Sequence, residues 1–168
     1  MLEWAGRQWD TRPLLPAAAV HVARLGSRDH TRQITGVLGL VAAAGLDARE
    51  VTAALLVCPD DGVDLLDLAA GILREGTGRP WRTTVALAGA AVGQWSMIRG
   101  RLIMRGIGDP LRDLPSLTAL LDVVEAMVLD GAEDEKERRR ILSDLYRRDD
   151  GLSPPVGWED GAQLDGIL

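Results

Sequence analysis

Between Pro80 and Asp130 apolar residues recur every third or fourth position in two runs, divided by a break rich in glycine and proline. That spacing gathers apolar side chains onto one helix face, so the stretch predicts two amphipathic helices joined by a stiff connector. In the first run the face is Val85, Ala88, Val92, Trp95, Ile98, Leu102 and Ile103, expected to be core. Pro80 needs no amide donor at a helix start, and Thr83 and Thr84 are capping candidates. Gly89 and Gly93, four apart, are expected to let a neighbouring backbone come close, while Arg82, Arg99 and Arg101 bracket a run too short to span a bilayer. Gly106 suits a left-handed helix cap, and Asp109-Pro110 opposes continuation of the helix. Pro115 and Ser116 restart it, with Leu117, Leu120, Leu121, Val124, Met127 and Val128 at helical spacing. Helices joined this way are expected to lie antiparallel, as a central pair around which the other segments pack.

The remaining chain reads as further helices. Residues 17 to 25 form a short one closed at Gly26. Thr31 to Ala44 forms the next, with Ile34, Val37, Leu38 and Val41 on its apolar face and Gly36 and Gly39 as small-residue contacts. Gly45 ends it and Asp47 caps a helix from Ala48 to about Val57, with Val51, Ala54 and Leu55 inward. Pro59-Asp60-Asp61-Gly62 reads as a turn before a helix carrying Val63, Leu65, Leu66, Leu68, Ala69 and Ile72. From Glu133 to Arg148 acids four residues ahead of arginines, beside a stripe of Ile141, Leu142, Leu145 and Tyr146, predict an outer helix. Residues 1 to 16, with Trp4, Trp9, Pro13 and Pro16, show no period and read as an irregular arm whose tryptophans pack onto the body. Residues 149 to 168, with Pro154-Pro155, Trp158 and several glycines and acids, read as a flexible acidic tail with one aromatic anchor.

The expected fold class is therefore all-α: a single-domain bundle of about six to seven helices over residues 1–148, with the central pair at 80–130. The chain's 168 residues suffice for one real core. With no Phe and one Tyr, that core must be built from Ala, Leu, Val and a few Trp, which suits close-packed helices. A net charge of −6 argues against nucleic acid as partner. The single Cys58 excludes an internal disulfide and suits a reducing cytoplasm, and residues 1 to 16 carry charges and prolines where a signal peptide needs an apolar run.

Chemistry-bearing patterns are absent from the sequence. His21 and His30 have no carboxylate or cysteine at ligand spacing, so no metal site is expected. Gly76-x-Gly78 lacks the lysine and spacer of a phosphate loop. The serines show no nucleophile-elbow pattern, and Asp60, Asp61, Asp64 and Asp67 are accounted for as acids at a helix N-terminus. Neither catalytic residues nor a cofactor are assigned. Residues 41–51 have the cadence of a helix-turn-helix, which makes a DNA-binding regulator (helices around 34–44 and 48–57) an alternative. Its second helix offers only Arg49, Glu50 and Thr52 to a groove.

Trp95-x-x-Ile98-x-Gly100-x-Leu102, then Gly106-x-x-Asp109-Pro110, then Leu114-Pro115-x-Leu117-x-x-Leu120-Leu121-Asp122 resembles a helical segment of the tail assembly chaperones of long-tailed, siphovirus-type actinobacteriophages. The resemblance covers about fifty residues and rests on apolar positions and turn chemistry. It implies a non-enzymatic protein of the host cytoplasm that binds the tape measure protein, or other phage tail proteins, during virion morphogenesis. A structural protein of a phage head or tail is the further alternative. No nucleic acid and no membrane are expected as partners, and self-association stays open. Partner contacts, or the core behind them, fall to Trp81, Trp95, Leu102, Met104 and Ile107, beside the turn motif Gly106, Asp109, Pro110 and Pro115.

Overall fold

Nearly every run of three-and-four spacing is helical in the computed structural model, which describes residues 1–58 and 64–147. The helices are α1 (Ala19–Leu25), α2 (His30–Ala43), α3 (Ala48–Val57), α4 (Leu65–Thr77), α5 (Trp81–Gly93), α6 (Trp95–Met104), α7 (Pro110–Asp113), α8 (Leu117–Asp130) and α9 (Glu135–Leu145). The only strands among the described residues pair in one small hairpin, so the protein is all-α. Two helices more than the expected maximum arise because the long helix from Pro80 breaks at Gln94 and because Pro110 opens a one-turn helix within the connector. The turn at residues 59–62, Val63 and the tail expected from residue 149 lie outside the described residues.

Capping residues set most helix starts. Asp29, Asp47, Asp64, Ser116 and Asp134 each accept backbone N–H bonds from the first turn of α2, α3, α4, α8 and α9. Such a cap stabilises by about 1 kcal/mol. Asp64 and Asp67 form a reciprocal capping box. Thr83 and Thr84 do not cap α5. Thr84 donates back to the Pro80 carbonyl at 3.0 Å, and Thr83, fully buried, donates to the Leu145 carbonyl at the end of α9.

The packing centre is α1, not the pair at 80–130. This seven-residue helix is wedged between α2 and α5, burying Val22 and Leu25 completely. Its approach to α2 depends on two glycines. A Cβ on Gly36 would lie 2.8 Å from the His21 carbonyl oxygen and 2.9 Å from Arg24 Cβ, and one on Gly39 would lie only 2.1 Å from His21 Nδ1. Helix α5 in turn packs on α8, whose Leu117, Leu120, Leu121 and Val124 are buried. The same proximity does not occur at Gly89 and Gly93, where an added Cβ meets nothing within 4 Å.

The N-terminal arm is partly ordered by pairing. Strand β1 (Leu2–Trp4) runs antiparallel to β2 (Arg7–Trp9), turning at Ala5 and Gly6, both at positive φ. Three-residue strands are too short to display an alternating pattern, which is why the sequence reads as irregular here. Both tryptophans are buried: Trp9 Nε1 donates to the Trp4 carbonyl at 3.1 Å, and Trp4 Nε1 to the Asp64 carbonyl at 3.0 Å. Leu2 fills the space left by Gly71 on α4. Leu14, also buried, accepts from Leu117 N at 2.7 Å and so ties the arm to the start of α8.

The buried face of α5 and α6 is narrower than expected. On α5 the buried side is Thr83, Thr84, Leu87, Ala88 and Ala91, and on α6 it is Ile98 and Leu102, so Val92 and Ile103 are exposed rather than core. Helix α2 likewise buries Val37, Leu40 and Val41 but leaves Ile34 and Leu38 exposed, because α1 contacts it along the glycine side.

If α1 sits in this glycine notch, Gly36→Ala will destabilise the protein by roughly 1–3 kcal/mol, because overpacking outweighs the gain in helix propensity. Gly89→Ala, at an open helical site, will stabilise it by roughly 0.5–1 kcal/mol. Urea unfolding of the two variants against the parent reads both signs.

Candidate interaction surface

The connector residues do what turn chemistry requires. Gly106 adopts φ +89°, and the amide of Ile107 bonds back to the Leu102 carbonyl at 3.0 Å, closing the end of α6 in a left-handed cap. Asp109 stands at the start of α7 without a side-chain cap, its own amide held by Asp113 at 2.8 Å. Pro110 is buried at the first position of α7, and Pro115 is exposed ahead of the Ser116 cap.

These turns, with the break at Gln94, hold α6 against the body through a narrow contact. The five expected contact residues divide accordingly. Leu102 is core, and Trp81, Trp95 and Ile107 are half-buried against the core. Met104 alone projects fully, at 81% exposure. The structure adds residues that periodicity had not singled out. Met97, Arg101 and Met104, spaced four and three apart, form an outward stripe on one flank of α6 beside Ile98 and Leu102, with Arg105 on the same flank and Arg99 and Ile103 on the other; all six are exposed. None of the three arginines has a hydrogen bond or ion pair among the described residues.

A sequence signal for this surface exists. Between Glu75 and Asp109 the chain carries five arginines and no acid, in a protein of net charge −6. Met97 and Met104 are the only methionines in that run. Flexible thioether side chains adapt to irregular apolar partners, and arginines flanking them favour acidic ones. The surface is thus suited to an apolar, acidic protein segment.

A second exposed apolar group lies on α2 and α3, where Ile34, Leu38, Leu56 and Val57 face outward. Nearby, a cleft of about 370 Å³ is lined by His30, Gln33, Ile34, Val37, Leu55 and the start of α4. Helices α2 and α3 are joined by a turn with Gly45 at φ +76° and Asp47 capping α3. The outward face of α3 nevertheless presents Leu56 and Val57 beside Arg49, Glu50 and Thr52.

The strongest polar cluster is a clamp. Arg79 donates to Asp122 at 2.7 Å, to Glu125 at 2.6 Å and to the Tyr146 hydroxyl at 3.4 Å, while Tyr146 donates to Glu125 at 2.8 Å. Burial opposes the charge on Arg79, but the hydrogen bonds with Tyr146, Asp122 and Glu125 outweigh it and raise its pKa. The side chains of Arg79 and Glu125 are only 13% and 15% exposed, so the connector between α4 and α5 is joined to α8 through a nearly dry ion pair, and the Tyr146 hydroxyl on Glu125 brings in the end of α9. His21 is the other perturbed group. Its Nδ1 is buried with no hydrogen-bond partner, and its pKa is lowered by burial and then by Arg24.

No group of three or more His, Cys, Asp or Glu among the described residues could hold a metal ion. No helix among them is long and apolar enough to cross a membrane. The fold and surface define an all-α helical domain with an exposed basic and apolar helix. Residues 90–165, just under half of the chain, match the model of a family of unknown function (DUF7240). The match takes in the last residues of α5 and all of α6 to α9. No curated protein and no solved structure matches the chain.

Two consequences are measurable. Arg79→Met will destabilise the protein by roughly 1–3 kcal/mol, since it leaves Glu125 without its cation; thermal unfolding in parallel with Tyr146→Phe separates the ion pair from the phenol. For His21, the unfolded chain takes a proton near pH 6.5 while the folded chain resists it. Stability from this group is therefore complete above about pH 6.5 and declines as pH falls below it. His21→Gln will flatten the fall in stability between about pH 6.5 and 5 in urea titrations.

Proposed function

We propose that the protein is a non-enzymatic tail assembly chaperone of a long-tailed phage, which binds apolar helices of a tape measure protein in the host cytoplasm and keeps them from aggregating. The observation that carries this reading is the outward stripe of α6, where Met97 and Met104 stand exposed beside arginines that have no ion partner among the described residues, inside the stretch that resembles such chaperones. A helix of a partner laid along α6 would cover these methionines and Ile103, in the manner of helix-in-groove recognition. Other phage tail proteins are the alternative partners of the same face. Trp95 and Ile107, half-buried at the two ends of α6, with Leu102 buried beneath, serve to fix α6 in place, while Trp81 packs at the start of α5.

The DNA-binding reading is favoured by the capped α2–α3 turn and disfavoured by the paucity of donors on α3. It would give duplex binding that weakens steeply with salt and with Arg49→Ala.

Co-expression with a tape measure protein is the test. The parent chain will raise the soluble yield of the tape measure protein, and Met97→Asp with Met104→Asp will abolish the rise without loss of helical circular dichroism. An unchanged yield with the parent chain contradicts the proposal.

A further inference from the structure

The outward stripe of α6 also has a complement within the same chain. Residues 149–168 carry Asp149, Asp150, Glu159, Asp160 and Asp165 and no basic residue, interleaved with Leu152, Val156, Trp158, Leu164, Ile167 and Leu168. That composition mirrors the surface just described: acids against Arg99, Arg101 and Arg105, and large apolar groups against Met97, Ile103 and Met104. We propose that the C-terminal segment around Val156 to Leu168 docks on α6 of its own chain and occupies the face until a partner displaces it.

Three observations converge on this occupant. The first is charge. The three arginines of α6 and its cap lack ion partners among the described residues, whereas Arg79, the other side of the same acid-free run, is saturated by Asp122 and Glu125. The second is reach. Helix α9 ends against α5, where Thr83 bonds the Leu145 carbonyl. From Thr83 to Met104 the path along α5 and α6 is at most ~33 Å at the helical rise. The eleven residues from Arg147 to Trp158 span up to ~36 Å when extended, so Trp158 and the acids after it reach the whole length of α6. The third is the extent of the family match, whose single span of 90–165 includes both α6 and most of the C-terminal segment while leaving out α1 to α4. The inference does not depend on the identity of any partner.

The test uses the full chain with Cys58→Ser and Gln163→Cys, a nitroxide on the new thiol, and methyl-labelled methionine. The four methionines, Met1, Met97, Met104 and Met127, provide reporters on and off the surface. Docking predicts selective loss of the Met97 and Met104 signals relative to Met1 and Met127. The loss will be reversed in 1 M salt, where the screening length falls to about 3 Å. It will also be removed by Arg99→Glu, Arg101→Glu and Arg105→Glu together, and restored when Glu159→Arg, Asp160→Arg and Asp165→Arg are added to that variant. Arg99, Arg101 and Arg105 are exposed and have no ion partner among the described residues, and helical circular dichroism confirms that each variant folds. Equal attenuation of all four methyls, or attenuation indifferent to salt and charge reversal, overturns the proposal. So does attenuation of Met97 and Met104 when nitroxide-bearing chains are mixed with separate methyl-labelled ones, which would make the occupant a second copy. Because no partner is present, failure here leaves the chaperone reading standing, and failure of co-expression leaves this one standing.

Discussion

The fit of α1 into the glycine side of α2 is the contact on which the rest of the molecule depends. Seven residues cannot sustain a helix alone in water, so α1 exists because its neighbours bury it on two sides. Gly36 lets the two backbones approach to a distance that no side chain would permit and Gly39 makes room for the His21 ring, while the opposite side of α1 receives α5, with Val85 Cγ1 only 2.9 Å from where a Cβ on Gly26 would stand. Once α5 is fixed in this way, α8 packs on it, α9 is drawn in by the Arg79 clamp and Thr83, and the tryptophan hairpin closes over α4. The order is one of geometry: each element rests on one already placed.

Helix α6 is the exception. The chain leaves α5 at Gly93, turns at Gln94 with φ −114° and ψ 24°, and resumes as a helix with only Ile98 and Leu102 fully buried. The buried positions keep the α5 phase across this break, with Ala88, Ala91, Ile98 and Leu102 at helical spacing. Met97 and Arg101 therefore stay outside, and the left-handed cap at Gly106 with Pro110 ends the helix beyond them. Large apolar side chains exposed together beside arginines without an ion partner among the described residues are an arrangement that folding alone does not require.

Local chemistry was legible in the sequence and long-range packing was not. Asp47, Ser116 and Gly106 act as their residue types predict, and α3 begins and ends where its spacing places it, because caps and turns are decided within a few residues. The small-residue pairs show the limit of that reading. Gly36 and Gly39 meet α1, whereas Gly89 and Gly93, at nearly the same spacing, meet nothing, and only the tertiary neighbour distinguishes them. Similarly, periodicity identified apolar residues on α5 and α6 but gave no notice that Val92 and Ile103 lie outside the narrow buried face. The candidate surface was found through Met104 alone; Met97, Arg99, Arg101 and Arg105 became visible once the buried side of α6 was known.

The central claim is that a core built on α1, α2, α5 and α8 holds α6 as a lightly anchored outer element. Native-state hydrogen exchange on the full chain measures this directly, since it resolves the opening free energy of each helix. The account predicts that amides of α1, α2, α5 and α8 exchange only through global unfolding, with α6 opening at a distinctly lower free energy and independently of α5. Exchange of α5 and α6 as one unit, at the global free energy, would contradict it.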